Sequence, residues 1–307
     1  MKTPSLSARL ATGYMRLVDH KSKHSKRWFL TNKANITPHS YVRNATIREE
    51  SFRERPLWYI HPEKPDVKST VLFIHGGAFA KNFQPMHWRF VQRLVENTGT
   101  KVIAPDYPLL PESTYTATQK YFIALFELIS KSDSMEHLYI VADTSGATIA
   151  LNSVQQFREI GLHQPKEIIL LSPWLDLTLS NPIIEDLAHT DPVHEVGVLR
   201  ELGAEYAEGY APNDPKVSPI YADTRRLAPI SVFIGSQDIF LADCRKLKIL
   251  SESKPVVFNY REYHGMINNW MYYDFTESRQ ARELLFHHMS SKPSEFELAM
   301  QDNTVVW

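Results

Sequence analysis

The stretch that decides the fold is LYIVADTSGATIALNSVQQFREI, residues 138–160. It joins a short apolar run at 138–143, through the turn Thr144-Ser145-Gly146, to a longer run with apolar residues at helical spacing. An apolar run that polar residues do not interrupt is typical of a strand buried on both faces, as in parallel sheets. The stretch therefore predicts a strand, a tight turn and a helix in direct succession.

Further runs of the same kind lie on both sides of this unit. They occupy residues 69–75, 101–106, 167–172, 230–235 and 256–262. Longer helical stretches separate them, the last of which is a helix at about 277–289, and this alternation is typical of βαβ units. Residues 40–61 alternate in part and predict an antiparallel hairpin at the sheet edge. The fold class is therefore α/β, with a mostly parallel, doubly wound sheet.

Two segments depart from this rhythm. Residues 176–220 form a longer connection than usual, with a helix of their own at about 197–210, and are interpreted as a lid insertion. Near the start, Leu6, Leu10, Tyr14 and Leu17 recur at helical spacing before a basic run at 21–27. This pattern predicts an amphipathic lid helix with a solvated end, or alternatively a helix that lies on a membrane surface. We expect a single domain over 1–307, with the helical lid contributed by about 1–40 and 178–216.

The composition excludes several classes of protein. Lys and Arg number 34 and Asp and Glu 35, so the formal net charge of −1 provides no field that would attract nucleic acid. Cys244 is the only cysteine, which precludes an intramolecular disulfide and favours a cytoplasmic setting. We expect no secretory signal, and no apolar run of ~18 residues is present that would form an integral membrane span.

No motif predicts a cofactor. The 13 histidines contain no HExxH pair, and the adjacent His287 and His288 point in different directions on a helix. Phosphate-binding glycine motifs are also missing from the sequence. We therefore expect neither a metal nor an organic cofactor.

The residues that follow the strands are the candidates for chemistry, because ligands of open parallel sheets bind at the carboxyl ends of the strands. His75-Gly76-Gly77 follows the first run, and its backbone N–H groups suit a developing oxyanion. Thr144 occupies the position that a serine holds in a G-x-S-x-G nucleophile turn. Asp238 and His264 follow the last two runs, so a hydroxyl, an acid and a histidine occur in the order known for hydrolases of this fold.

At these residues the sequence resembles the hormone-sensitive-lipase-like branch of the α/β-hydrolases, over roughly 69–290. The resemblance rests on the following segments: HGGA (75–78), DYPLLPE (106–112), SPWLDL (172–177), VSP (217–219), GSQD (235–238) and YHG (263–265). It implies the α/β-hydrolase fold with a helical lid and an esterase or lipase-like enzyme. The implied substrate is a small or medium carboxylic ester, the implied mechanism passes through an acyl-enzyme, and no cofactor takes part.

The resemblance also implies roles for individual residues. Thr144 would be the nucleophile, His264 the general base and Asp238 the acid that orients His264. The N–H groups of Gly76, Gly77 and Ser145 would form the oxyanion hole. Of partners, it implies only a small-molecule ester; a homodimer is left open.

Thr144 is the departure from the family, which has Ser in a GDSAG motif where this chain has ADTSG at 142–146. A β-branched residue fits the strained turn poorly, and its methyl group lies where the carbonyl must approach. Three interpretations stay open. Thr144 is a slow nucleophile, Ser145 attacks after a local rearrangement, or the protein is an inactive relative that binds a small carbonyl or carboxylate ligand.

Overall fold

A single sheet contains all the strands in the computed structural model, which describes residues 3–31, 36–65, 69–132 and 135–290. The strands are β1 (Ala45–Phe52), β2 (Arg55–Pro62), β3 (Thr70–Ile74), β4 (Lys101–Pro105), β5 (Leu138–Asp143), β6 (Glu167–Leu171), β7 (Ile230–Gly235) and β8 (Phe258–Tyr263).

The sheet is antiparallel at one edge and parallel elsewhere. Its strand order is β1-β2-β4-β3-β5-β6-β7-β8. β1 pairs antiparallel with β2, and β2 with β4, while the remaining neighbours are parallel. The predicted edge hairpin and the predicted mostly parallel sheet are confirmed.

Helices cover both faces of the sheet. They are α1 (Leu6–Leu17), α2 (Lys26–Thr31), α3 (Pro85–Thr98), α4 (Tyr115–Ser132), α5 (Ser145–Glu159), α6 (Ile183–Thr190), α7 (Val196–Tyr206), α8 (Leu241–Glu252) and α9 (Thr276–Met289). Leu72 and Ile74 of β3 pack in one apolar cluster with residues of α4, α5 and α8. The alternate residues Val71 and Phe73 pack in another, with residues of α3 and α9. Because side chains alternate along a strand, this division places the two helix layers on opposite faces, and the doubly wound class is confirmed.

Four helices, α1, α2, α6 and α7, form what we call the helical cap. Polar contacts join its two sequence segments: Arg16 Nη2 donates to Thr190 O (2.8 Å), Lys21 Nζ donates to Ala188 O (3.0 Å), and Lys26 Nζ lies 2.9 Å from Glu205 Oε2. These helices fall within the predicted lid ranges, about 1–40 and 178–216. The sequence indicated α7 but not α6, whose eight residues are too few for a clear period.

The orientation of α1 differs from the expectation for an amphipathic lid helix. The buried side consists of Ala8, Thr12 and Met15, whereas the stripe that begins at Leu6 is exposed. The periodicity located the helix but not the side that packs, because apolar residues occur on both sides.

Within the described ranges, no helix combines the length and apolarity needed to cross a bilayer.

Gly146 fixes the distance between α5 and β3. A Cβ atom at this position would lie 2.3 Å from Ile74 O and 2.6 Å from His75 O. We predict that Gly146→Ala lowers the free energy of unfolding by about 3 kcal/mol, because backbone must move to relieve the overlap. Urea titration measures this. The matched control is Gly197→Ala in α7, where a Cβ would meet nothing within 4 Å. An equal loss in both variants would contradict the explanation.

Candidate active site

Thr144 forms the turn between β5 and α5 in a conformation that β-branched residues rarely adopt. Its φ is 44° and its ψ is −113°. The turn is held by the Thr144 N–H, which donates to Leu171 O, and by the Thr144 carbonyl, which accepts from the Trp174 N–H, each at 3.1 Å. The chain therefore builds a strained strand-to-helix turn with threonine at its apex, at a cost on the order of 1–3 kcal/mol.

The Thr144 hydroxyl lies against a buried carboxylate. Its Oγ1 donates to Asp143 Oδ2 at 3.2 Å, and a Cβ atom on Gly76 would lie only 1.8 Å from Oγ1. Thr144 is 7% exposed and lines a cavity of about 410 Å³. Thr144 thus borders the cavity, and its hydroxyl donates to Asp143.

Asp143 joins three loops around Thr144. Its oxygens also accept from the Gly76 N–H (2.9 Å), the Tyr272 hydroxyl (2.8 Å) and Asn269 Nδ2 (3.2 Å). Burial raises the pKa of Asp143, against the lowering effect of the Tyr272 and Gly76 hydrogen bonds. The sequence analysis missed this role, because a strand-terminal Asp gives no signal of its distant partners.

Two buried histidines, His75 and His87, lie close to the turn, and His87 Nε2 is 3.8 Å from Asp143 Oδ1. Burial lowers the pKa of His75 to about 3, and the charge of His87 adds to this effect. Burial lowers the pKa of His87 to about 3 as well. His75 Nδ1 donates to Gly76 O at 2.6 Å, and His87 Nδ1 accepts from the Gln84 N–H at 3.0 Å. Both rings are therefore neutral structural groups at physiological pH.

The predicted oxyanion groups separate in the structure. The Gly76 N–H is occupied by Asp143, so it does not face a ligand. Gly77 and Ala78 line the cavity, and no described residue accepts a hydrogen bond from either N–H. Ser145 is fully buried, and its hydroxyl accepts from the Phe79 N–H at 3.2 Å. The Ser145 N–H, which is the group predicted for the oxyanion hole, also has no acceptor among the described residues, but Ser145 does not line the cavity. The unpaired amides on the described cavity wall are thus those of Gly77, one of the groups predicted, and of Ala78.

The predicted acid and base do not meet. Asp238 Oδ1 accepts from the Phe240 N–H and Oδ2 accepts from Asn268 Nδ2, each at 3.0 Å. Asn268 lines the same cavity as Thr144. His264 instead lines a separate cavity of about 520 Å³ together with Pro4 and Glu277, and the two cavities share no lining residue. The predicted His264–Asp238 pair is therefore not formed, and Asn268 occupies that place.

The backbone after β8 explains this difference. Gly265 has a φ of 72°, and its N–H donates to Ser236 Oγ at 2.8 Å. Because of this turn, His264 lies in the cavity that Pro4 and Glu277 of α9 also line. Asn268, four residues later, is the residue that contacts Asp238. A histidine next to a glycine at a strand end was therefore an insufficient signal.

A histidine in the connection between α6 and α7 does carry an orienting carboxylate. His194 Nδ1 donates to Asp191 Oδ2 at 2.8 Å, and His194 lines the cavity that contains Thr144. Burial by itself would lower the pKa of His194, but the charge and hydrogen bond of Asp191 raise it above its usual value. Burial likewise opposes the effect of His194 on Asp191, whose pKa is lowered overall. The sequence analysis missed this pair, which the fold brings together with Asp238.

Asp191, His194 and Asp238 have ligand-type atoms within 4.8 Å of one another, and they are the one such group of three among the described residues. The Asp191 oxygens, however, accept from the N–H groups of Val193 and Ile239 and from the His194 ring. Both Asp238 oxygens are also occupied, as described above. The arrangement therefore fits a hydrogen-bond network better than a metal centre.

The cavity wall is cationic. Lys81 and Arg89 line it, and no Asp or Glu is among the described lining residues. His20 and His24 also line it, but burial lowers the pKa of both, so these rings add no positive charge at physiological pH. Lys81 Nζ donates to Trp28 O at 2.5 Å and lies 3.8 Å from the Trp28 ring centroid, and burial lowers its pKa to about 8. Burial also lowers the pKa of His24 to about 4, assisted by the nearby His20. Such a wall favours ligands that carry partial or full negative charge.

Known proteins resemble this chain in sequence and in fold. The sequence profile of the α/β-hydrolase fold family matches residues 71–272. The chain belongs to this family. An esterase from Acinetobacter venetianus is 31% identical over 69% of this chain and 71% of that protein. An acetyl-hydrolase from Streptomyces hygroscopicus is 26% identical over 74% of this chain and 76% of that protein.

A solved structure gives the same result for the fold. An esterase of the bacterial hormone-sensitive lipase family superposes with a TM-score of 0.82 at 20% identity, covering 95% of this chain and 99% of that one. The predicted membership in the α/β-hydrolases is confirmed by the family profile and the Acinetobacter venetianus esterase, and the solved structure confirms the fold.

Asp238 makes the stability of the protein depend on pH. Burial raises the pKa of Asp238 from 3.8 to about 7, a shift that His194 opposes and Asp191 reinforces. Between these two values the unfolded state releases the proton and the folded state keeps it, so stability falls as pH rises. We predict that the free energy of unfolding of Asp238→Asn, relative to that of wild type, increases by on the order of 2 kcal/mol as the pH rises from about 4 to 8. Urea titrations across this pH range measure it.

The control is Asp191→Asn, because the pKa of Asp191 is lowered and its contribution is lost at acid pH. The free energy of unfolding of Asp191→Asn, relative to that of wild type, should therefore change with pH in the opposite direction to that of Asp238→Asn. Parallel trends in the two variants would show that the sign assigned to Asp238 is wrong.

Proposed function

We propose that this chain hydrolyses small carboxylic esters slowly, with Thr144 as the nucleophile. The observation that carries the proposal is the position of Thr144, on a strained turn, in the wall of a cavity that is also lined by the amides of Gly77 and Ala78, unpaired among the described residues, and by His194, the partner of Asp191. Relatives named esterase and acetyl-hydrolase support the substrate class. The cavity volume of about 410 Å³ suits a small acyl ester.

In the proposed mechanism, Thr144 Oγ1 attacks the ester carbonyl carbon and the amides of Gly77 and Ala78 bind the oxyanion. The Thr144 proton passes to His194 Nε2, directly or through one water, and then to the leaving alcohol. Water activated by the same imidazole hydrolyses the acyl-threonine. We assign the base to His194 because Asp191 holds its Nδ1, which leaves Nε2 as the acceptor. His264 has no role in this mechanism.

Three features make the proposed reaction slow. The Thr144 methyl group takes up space beside the attacked carbonyl. Asp143 accepts a hydrogen bond from the Thr144 hydroxyl and so competes with the base. Asn268 stands beside Asp238 and is not a base at physiological pH.

A second candidate function is binding without turnover. It is favoured by Asn268 at the position next to Asp238 and by the capture of the Gly76 N–H by Asp143. In this case the Gly77 and Ala78 amides, with Lys81 on the wall, would hold a small carbonyl or carboxylate ligand.

Substitutions at Thr144 test the nucleophile. With p-nitrophenyl acetate, we predict that Thr144→Ser raises kcat/KM about 100-fold, because it removes the methyl group and relieves the turn. Thr144→Ala and His194→Ala should abolish turnover. His264→Ala, which alters the other cavity, should stay within about 2-fold of wild type. The rate should also rise with pH as His194 loses its proton, since its pKa is raised.

Some outcomes would reject parts of this assignment. Full activity in Thr144→Ala with loss in Ser145→Ala would make Ser145 the nucleophile. Loss in His264→Ala with retention in His194→Ala would restore the base predicted from sequence. No turnover by any variant, together with a thermal shift on adding acetate or a longer carboxylate, would favour the binding candidate.

Asn268 offers a second route to the base. In the Thr144→Ser background, we predict that Asn268→His raises kcat/KM a further ~100-fold, because Asp238 can orient the new imidazole toward the cavity. Asn268→Gln serves as the matched control, since it fills space without supplying a base. A gain of similar size in both variants would show that packing, and not proton transfer, is responsible.

The remaining predictions concern the setting of the protein. A cytoplasmic location and the lack of nucleic-acid partners stay predictions, and a homodimer stays open.

A further inference from the structure

We propose that the outer face of α1 docks this protein on the surface of a bilayer that contains anionic lipid. Leu6, Leu10, Tyr14 and Leu17 are 65%, 65%, 66% and 84% exposed. At 3.6 residues per turn these four positions fall within an arc of roughly 80°. They form a continuous apolar stripe, which a soluble surface rarely carries without a partner. We call it the α1 stripe.

The stripe is held facing outward. On the opposite side of α1, Ala8, Thr12 and Met15 are buried. At the start of the helix, the Ser5 N–H and hydroxyl donate to the Glu277 carboxylate at 2.6 and 2.7 Å. At its end, Arg16 Nη2 donates to Thr190 O at 2.8 Å and Gln237 Oε1 at 3.1 Å. Rotating the stripe inward would break these contacts and expose the buried side.

The charge of the segment that contains the α1 stripe indicates which kind of surface the stripe binds. Residues 6–31 contain six Lys and Arg and a single acid, Asp19, in a chain whose net charge is −1. Of these bases, Arg9, Arg16, Lys23 and Arg27 are exposed, and Arg16 is the one that bonds to Thr190 and Gln237. An apolar helix face beside exposed bases is the pattern of helices that lie in the interface of anionic membranes.

A second copy of the chain fits this surface less well. In a two-fold symmetric dimer the same patch meets itself, so the bases of one protomer would lie opposite those of the other. Like charges brought together in this way oppose association. An anionic lipid surface instead complements the apolar stripe and the bases at the same time.

The docked orientation has a consequence for the cavity. The segment that follows the stripe supplies His20, His24, Trp28 and Phe29 to the wall of the cavity that contains Thr144. Docking would therefore bring one wall of this cavity close to the lipid surface. The proposal does not depend on turnover, because it concerns only the outer face of α1 and the bases beside it.

Co-sedimentation with large unilamellar vesicles tests the proposal on the full chain. We expect binding to phosphatidylcholine vesicles that contain phosphatidylglycerol, at least ~10-fold stronger than to phosphatidylcholine alone and weakened by high salt. The double substitution Leu10→Gln and Leu17→Gln should reduce binding at least ~10-fold, since it removes two apolar contacts while preserving helix propensity. Substituting Arg9, Lys23 and Arg27 by Gln should remove the preference for anionic vesicles.

The matched control is Ile160→Gln with Ile249→Gln, which alters two exposed apolar residues elsewhere, at 56% and 66% exposure. Thermal unfolding of every variant verifies that the fold is retained. Equal losses in the control, or no binding of wild type to either vesicle at low salt, would overturn the proposal. A wild-type dimer that the Leu10 and Leu17 substitutions dissociate, without vesicle binding, would assign the stripe to a second copy.

Discussion

The buried carboxylate of Asp143 is the interaction on which the candidate site depends. It receives hydrogen bonds from the glycine turn after β3, from Thr144 and from Asn269 and Tyr272 after β8. A buried carboxylate that lost these donors would be costly, so the loops are held together. The same interaction sets a limit on chemistry, because it withdraws one amide and one hydroxyl proton from any ligand in the cavity.

The sequence sufficed for the sheet because its strands are short apolar runs with turn residues at their ends. The run at 138–143, the following turn and α5 were located from local pattern alone, as was the edge hairpin. The side of α1 that packs was not predictable, since Leu10 and Met15 are both apolar and only tertiary contacts decide between them. Local pattern gives the period of a helix, whereas its orientation depends on the neighbours that cover it.

The candidate site was less predictable than the fold. Thr144 and Asp238 follow their strands directly, and the chain order brought both to the correct edge of the sheet. The partner of Asp238, however, depends on the loop after β8. The turn at Gly265 directs His264 away from Asp238, and Asn268, four residues after His264, donates to Asp238 instead. His194 and Asp191 come from a connection without a recognisable motif, so only the folded chain shows that His194, held by Asp191, lines the same cavity as Thr144.

The helical cap has a kinetic consequence for anything held beneath it. Its N-terminal segment is joined to the second cap segment by the Lys26–Glu205 ion pair and by bonds from Arg16 and Lys21 to backbone carbonyls. Exposed ion pairs contribute only about 0–1 kcal/mol each, and local opening needs far less free energy than unfolding of the sheet. We therefore expect detachment of the N-terminal cap segment, which supplies Trp28 and Phe29 to the cavity wall and none of the proposed reacting groups, to set the residence time of a bound molecule.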